Sequence, residues 1–226
     1  MDMKNPMRNR GPLHPLQTMR FARLIRLCFL GSLSLPAYGQ YIGVSGGGLF
    51  PQDLSASATL GQVGGPARST FSTSGIIAVD AGMGFFPFLS AGLHYSFSHP
   101  ELELRRGDAF GSSALVDLKT HTITFETRLH TLGVHSYRLY GLLGGGFSRF
   151  APDVTRAVEV PFPRGAPDNI LSPVVTFGGG IEKNIAPLVR LKFEVRDYVT
   201  PISKQLFEAG GTWHRPAVLA GIVLGR

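Results

Sequence analysis

The segment "VRLKFEVRDY", Val189 to Tyr198, constrains the fold more than any other part of the chain. Val189, Leu191, Phe193 and Val195 alternate with Arg190, Lys192, Glu194 and Arg196. A strand sends successive side chains to opposite faces, so one face here is apolar and the other charged. A helix would scatter the same residues around its circumference. The chain must form a sheet whose two faces meet very different surroundings.

Period two recurs in eight segments, 41–50, 74–86, 89–98, 116–130, 137–150, 174–185, 188–199 and 215–225. Globular strands run about five or six residues, whereas a tilted strand crossing a bilayer needs about 9–11. The segments match the second length. Their connections alternate as well. Those around Pro87, from Thr131 and at Ala186-Pro187 are short, whereas those over 51–73, 99–115, 151–173 and 200–214 are long and rich in turn formers. Short turns at one rim and long loops at the other predict an all-β fold: an eight-stranded antiparallel up-and-down transmembrane β-barrel.

The N-terminus points to the same compartment. Arg20, Arg23 and Arg26 precede an apolar run from Leu27 to Leu35, and Ala37-Tyr38-Gly39 supplies small residues for cleavage. This is the layout of a secretory signal, and the run is too short to span a membrane. Residues 1–39 read as an N-terminal extension plus signal, with Met19 an alternative start, and residues 40–226 as one barrel domain. The first 39 residues hold six of the 22 Lys/Arg and one of the 15 acids, leaving 16 against 14, a net charge of +2. The formal +7 of the whole chain therefore gives no support to a nucleic-acid partner. The only cysteine, Cys28, leaves with the signal, and "LIRLC" lacks the small residue of a lipid-anchor site. The exported protein folds without disulfides.

Three glycine triplets, Gly46–Gly48, Gly144–Gly146 and Gly178–Gly180, lie inside the periodic segments. A phosphate-binding loop would need a following helix and a Lys-Ser/Thr or acidic partner. None is present, so the triplets are expected to relieve crowding inside a narrow barrel and let its strands coil.

If odd positions of 189–195 face lipid, the interior receives Arg190, Lys192, Glu194 and Arg196. The same alternation adds Glu182, Arg138, Tyr140, Glu126, Arg128, Asp80, His94 and Ser96. A charge facing hydrocarbon at mid-depth costs about 2–4 kcal/mol, so these residues are expected to pair with one another inside. The outward face is expected to carry Phe85, Phe88, Tyr95, Phe97, Tyr137, Phe147 and Phe177, with Tyr198 and Trp213 near the long-loop rim. An eight-stranded lumen is just wide enough for side chains to fill, which favours a salt-bridged plug over a narrow gated pore.

No catalytic site and no metal site is expected. His121, His130, His135 and His214 lie on separate segments without a recurring ligand spacing. His94-Tyr95-Ser96 places a His and a Ser on one face, one way to activate a hydroxyl. Small barrels that deacylate lipid A use such a pair, but this chain continues "FSHPELE", unlike that family, and the pair points inward. Asp80 is expected beside His94 across the hairpin.

The signal, the eight long strands, the three short turns and the four long loops resemble the small outer-membrane β-barrel proteins of the OmpA/OmpX type. "YRLYGLLGGGF" and "RLKFEVRDYVTP" are similar to the fifth and seventh strands of that superfamily. The resemblance implies a non-enzymatic integral protein of the bacterial outer membrane, without cofactor. Its implied partners are outer-membrane lipid, the barrel-assembly machinery during insertion, and a surface ligand at the four long loops. No peptidoglycan-binding domain is expected after the barrel. The ending "GIVLGR" departs from the terminal aromatic residue common in such chains. The competing class is an exported soluble barrel with an apolar ligand in its lumen, like a lipocalin, which requires an apolar inside and a polar outside. Strand length, loop asymmetry and strand glycines favour the membrane.

Overall fold

The computed structural model describes residues 39–53, 67–106, 113–131, 136–157, 169–201 and 212–225. The expected signal lies outside them except for Gly39, as do large parts of the four long connections. The described residues form ten strands: β1 (Gly39–Leu49), β2 (Ala67–Phe71), β3 (Ser74–Phe86), β4 (Leu89–Ser98), β5 (Glu101–Arg106), β6 (Ser113–His130), β7 (Tyr137–Ala157), β8 (Ile170–Ala186), β9 (Val189–Pro201) and β10 (Thr212–Gly225). They make one sheet ordered β2-β5-β6-β4-β3-β1-β10-β9-β8-β7, and pairing of β6 with β7 closes it. Eight of the ten form the closed barrel, every pair antiparallel.

β2 and β5 fall in stretches expected as loops, 51–73 and 99–115. They are continuations of the barrel wall. β5 resumes β4 after His99-Pro100 and meets β6 in unchanged register, Ser98 standing opposite Thr120 and Glu101 opposite Asp117. Pro100 has no N–H, but its carbonyl still accepts a bond from Leu118 N at 3.0 Å, so the ladder survives the proline. β2 extends β3 past Ser72-Thr73 with a one-residue shift of register, Ile76 standing opposite Ser98 and Phe71 opposite Leu102, and Ser72 N donates to Glu101 O at 2.9 Å. β7 and β8 likewise extend into 151–173, as far as Ala157 and from Ile170.

The register defines the barrel's shape. From Leu49, ladder partners run Ala217, Arg196, Gly178, Leu142, Arg128, Ser90, Gly84 and back to β1 at Gly39. One circuit thus displaces the chain from Leu49 to Gly39, a shear of ten residues. With standard strand spacings, eight strands at this shear tilt by about 40° and enclose a backbone radius of about 8 Å. Side chains from opposite walls meet across such a lumen.

The faces are sharply divided. Leu93, Phe125, Leu143, Phe193 and Ile222 are exposed outward, while Asp80, Glu126, Lys192, Glu194 and Arg196 are buried inside. A soluble ligand-binding barrel would be apolar inside and polar outside, so this arrangement is its reverse. The glycine triplets serve the interior. A Cβ at Gly144 would stand 2.8 Å from Glu126 Cγ, and one at Gly180 2.6 Å from the Tyr140 hydroxyl.

The outward aromatic set holds for Phe85, Phe88, Tyr95, Tyr137, Phe147 and Phe177, and Phe97 is half-buried. Tyr198 and Trp213 are a correction, since both are buried inside. Tyr198 shares the parity of Arg196 and so faces the lumen with it. Trp213 packs against Phe71 and Phe150, at ring-centroid distances of 4.5 and 5.6 Å. Leu49, Ile76, Ala78, Val174, Tyr198, Ala217 and Leu219 form an apolar core in the long-loop half of the lumen. Charges occupy the middle, and a cavity remains at the short-turn end.

Candidate functional site

The middle of the lumen is an ion-pair lattice built around Asp80 on β3. Asp80 stands opposite His94 of β4 in the ladder, and accepts from His94 Nδ1 at 2.8 Å. Arg128 Nη2 reaches the same oxygen at 2.6 Å, and Lys192 Nζ crosses the lumen from β9 to bond the other. Glu126 takes both Nη atoms of Arg196, at 2.5 and 3.2 Å, and accepts from Thr124 Oγ1 at 2.9 Å. Glu194 accepts from Arg196 Nε at 2.6 Å and from the Tyr140 hydroxyl at 2.5 Å. Three carboxylates therefore face three cations, all within a region closed to solvent.

Taking such charges out of water costs several kcal/mol per ion unless each is paired and its remaining donors are met. Here the forked Arg196 guanidinium bridges two carboxylates, and charge-assisted bonds join β6 to β9 and β3 to β9. The other ring nitrogen of His94, Nε2, is hydrogen-bonded to the Tyr198 hydroxyl at 2.8 Å. This bond joins the lattice to the apolar core.

Of the twelve residues expected inside, the ten that are Asp, Glu, Lys, Arg or His do not form one network. Asp80, His94, Glu126, Arg128, Lys192, Glu194 and Arg196 come together in the middle. Glu182, Arg190 and Arg138 lie apart at the short-turn end, where Glu182 meets Arg190 at 3.4 Å and Arg138 is Glu182's ladder partner on β7.

Arg215 is an interior residue that the alternation does not reveal. Buried near the long-loop end, it lies over Phe150, Trp213 and Tyr198 at 5.0, 5.1 and 5.6 Å. Its Nη2 donates to Ser148 and Thr200 hydroxyls at 2.9 and 3.0 Å. Both faces of "PAVLAGIVLG" are apolar, so nothing in that segment tells inside from outside.

Two chemistries suggested by residue type meet obstacles in the geometry. Asp80, His94 and Glu126 bring donor atoms within 4.8 Å of one another, a donor set suited to a metal. Arg128, Lys192 and Arg196 already neutralise those carboxylates, so a divalent cation would enter among three positive charges. The His94 ring, in turn, bonds Tyr198 through Nε2, and Ser96 is buried in the lumen.

No protein-family model matches the sequence, and no curated protein matches it significantly. Solved structures do match in fold. The outer membrane protein OprG from Pseudomonas aeruginosa aligns with a TM-score of 0.57 at 13% identity, over 84% of this chain and 97% of that one. Neisserial surface protein A aligns with a TM-score of 0.51 at 12% identity, over 82% and 96%. Closed order, inverted faces and these likenesses agree: the chain has the eight-stranded fold of the small outer-membrane β-barrel proteins.

Proposed function

We propose that this protein is a non-enzymatic, integral outer-membrane barrel whose lumen is a structural plug and whose partners bind at the long-loop rim. The observation that carries the reading is the set of six paired charges across the middle of the lumen, beneath an apolar core. A solute would have to break several buried pairs to pass, each at about 3–5 kcal/mol. The apolar outer face suits outer-membrane lipid, and insertion by the barrel-assembly machinery follows from that placement. The short-turn rim faces the periplasm and the long loops face outward, which leaves the loops to meet a surface ligand. Nucleic acid has no place in this reading.

The test is fractionation of cells expressing the full chain, followed by gels of unboiled and boiled samples and by conductance in planar bilayers. An outer-membrane band whose mobility shifts on heating, with no steady conductance, is the expected result. A soluble product without a heat shift would overturn the membrane assignment. Discrete unitary openings would replace the plug with a narrow gated pore.

A further inference from the structure

Beneath the central lattice, at the short-turn end, the lumen holds a chamber that the plug leaves unused. Its volume is about 250 Å³, and it lies between Tyr41, Ser90 and His130 on one wall and Arg138, Glu182 and Arg190 on the other. Arg138 and Arg190 also border a more open cavity of about 540 Å³ beside the turn at Ala186-Pro187. The two guanidiniums thus stand between the inner chamber and the short-turn rim.

The charges on these walls do not balance. Arg128, at the top of the chamber, is engaged by Asp80. Among the described residues, Glu182 is the one carboxylate that lines the chamber, against Arg190 and Arg138. Arg190 reaches it at 3.4 Å, and Arg138 forms no ion pair among the described residues. One positive charge is left over even with His130 neutral. Hydrogen bonding is also incomplete. Arg128 Nε and His130 Nδ1 are buried atoms without a hydrogen-bond partner, Arg190 Nε meets Glu182 Oε2 at 3.4 Å without forming a hydrogen bond, and all four residues line the chamber. The other ring nitrogen of His130 bonds Ser90 Oγ at 2.9 Å, so Nδ1 carries the free proton when the Ser90 hydroxyl donates.

We propose that this chamber binds a tetrahedral oxyanion of the phosphate class, held by Arg138, Arg190 and His130. An acceptor-only ligand with several oxygens answers the unmatched donors and the surplus charge together, as guanidinium forks do with phosphate elsewhere. Water would meet the donors and leave the charge. The phosphate has two sources, a free anion of the periplasm or the headgroup of an inner-leaflet phospholipid. The proposal extends the plug reading without resting on it, because the chamber lies outside the central lattice.

The experiment uses the folded barrel in alkyl maltoside micelles, free of phosphate, with thermal unfolding followed as inorganic phosphate is added. Chloride at equal ionic strength is the control. Phosphate is expected to raise the unfolding midpoint where chloride does not. Arg138→Gln is expected to weaken the apparent phosphate affinity about tenfold to hundredfold, and Arg138→Lys to weaken it less. Each variant must first show the heat-dependent gel shift of a folded barrel. If inorganic phosphate has no effect but added phosphatidylglycerol stabilises the protein in an Arg138-dependent way, the headgroup is the ligand. Equal effects of phosphate and chloride with no phosphatidylglycerol response, or full response in a folded Arg138→Gln protein, would overturn the proposal.

Discussion

Gly180 of β8 stands directly opposite Tyr140 of β7, and a Cβ at Gly180 would lie 2.6 Å from the Tyr140 hydroxyl. That hydroxyl donates to Glu194 at 2.5 Å. The missing side chain of one strand therefore makes room for a bond that reaches two strands further round the barrel. Gly180→Ala is expected to push Tyr140 off Glu194 and destabilise the barrel by about 1–3 kcal/mol. Gly145→Ala is the control, because its Cβ would meet nothing closer than 3.8 Å. Urea-unfolding midpoints in lipid vesicles measure both. Equal midpoints would remove the crowding argument.

Asp80→Asn tests the hub of the lattice. The substitution leaves Arg128 and Lys192 buried without the carboxylate that both bond. The expected loss is about 3–5 kcal/mol, read from the same unfolding curves. Glu182→Gln removes a buried carboxylate that a single cation, Arg190, reaches at 3.4 Å, whereas Asp80 is bonded by two at 2.5 and 2.6 Å, so its expected loss is smaller, about 1–3 kcal/mol. Losses of similar size at both sites would mean that Asp80 is no more a hub than the peripheral Glu182.

How much of this was legible in the sequence depends on contrast between the faces. β9 alternates charge with aliphatic residues, so the phase of Lys192, Glu194 and Arg196 could be read directly, and ladder neighbours inherited it. Tyr198 continues that parity, yet an aromatic near a strand end also suits an interfacial girdle, and this second consideration gave the wrong side. β10 has no polar phase marker between Pro216 and Gly225, which hid Arg215. The continuation strands were concealed by Pro100 and by polar composition, although "ELELRR" itself alternates. The split of the interior charges into two groups depends on stagger around the barrel, which one strand's pattern does not contain.

The rim cluster gives a further prediction. Trp213 contacts Phe71 and Phe150, lies 5.1 Å from the Arg215 guanidinium, and donates from Nε1 to Gln52 O at 3.3 Å. Trp213→Ala is expected to destabilise the barrel by about 3–5 kcal/mol. The chain near Gln52 would also become open to protease in intact cells. An outward-facing Trp213 in a membrane girdle would instead leave protease sensitivity unchanged and alter only lipid contact. Limited proteolysis of whole cells separates the two.

Leu93 tests the outer face against the inner one at a single level of the barrel. It is 58% exposed and adjoins His94, which is fully buried at the lattice. In a bilayer, Leu93→Arg places a cation in hydrocarbon near mid-depth and is expected to reduce stability by about 2–4 kcal/mol. In water the same substitution would replace an exposed apolar side chain with a solvated one, with little effect or a gain in solubility. Arginine can reach toward an interface along its own length, so the loss should shrink for a position nearer a rim, such as Leu139→Arg. Measuring both variants in vesicles, by unfolding and by the heat-dependent gel shift, gives the depth profile. A large loss at Leu93 and a small one at Leu139 place the lattice level with the membrane midplane, whereas equal and negligible losses would mean that the apolar belt does not face lipid.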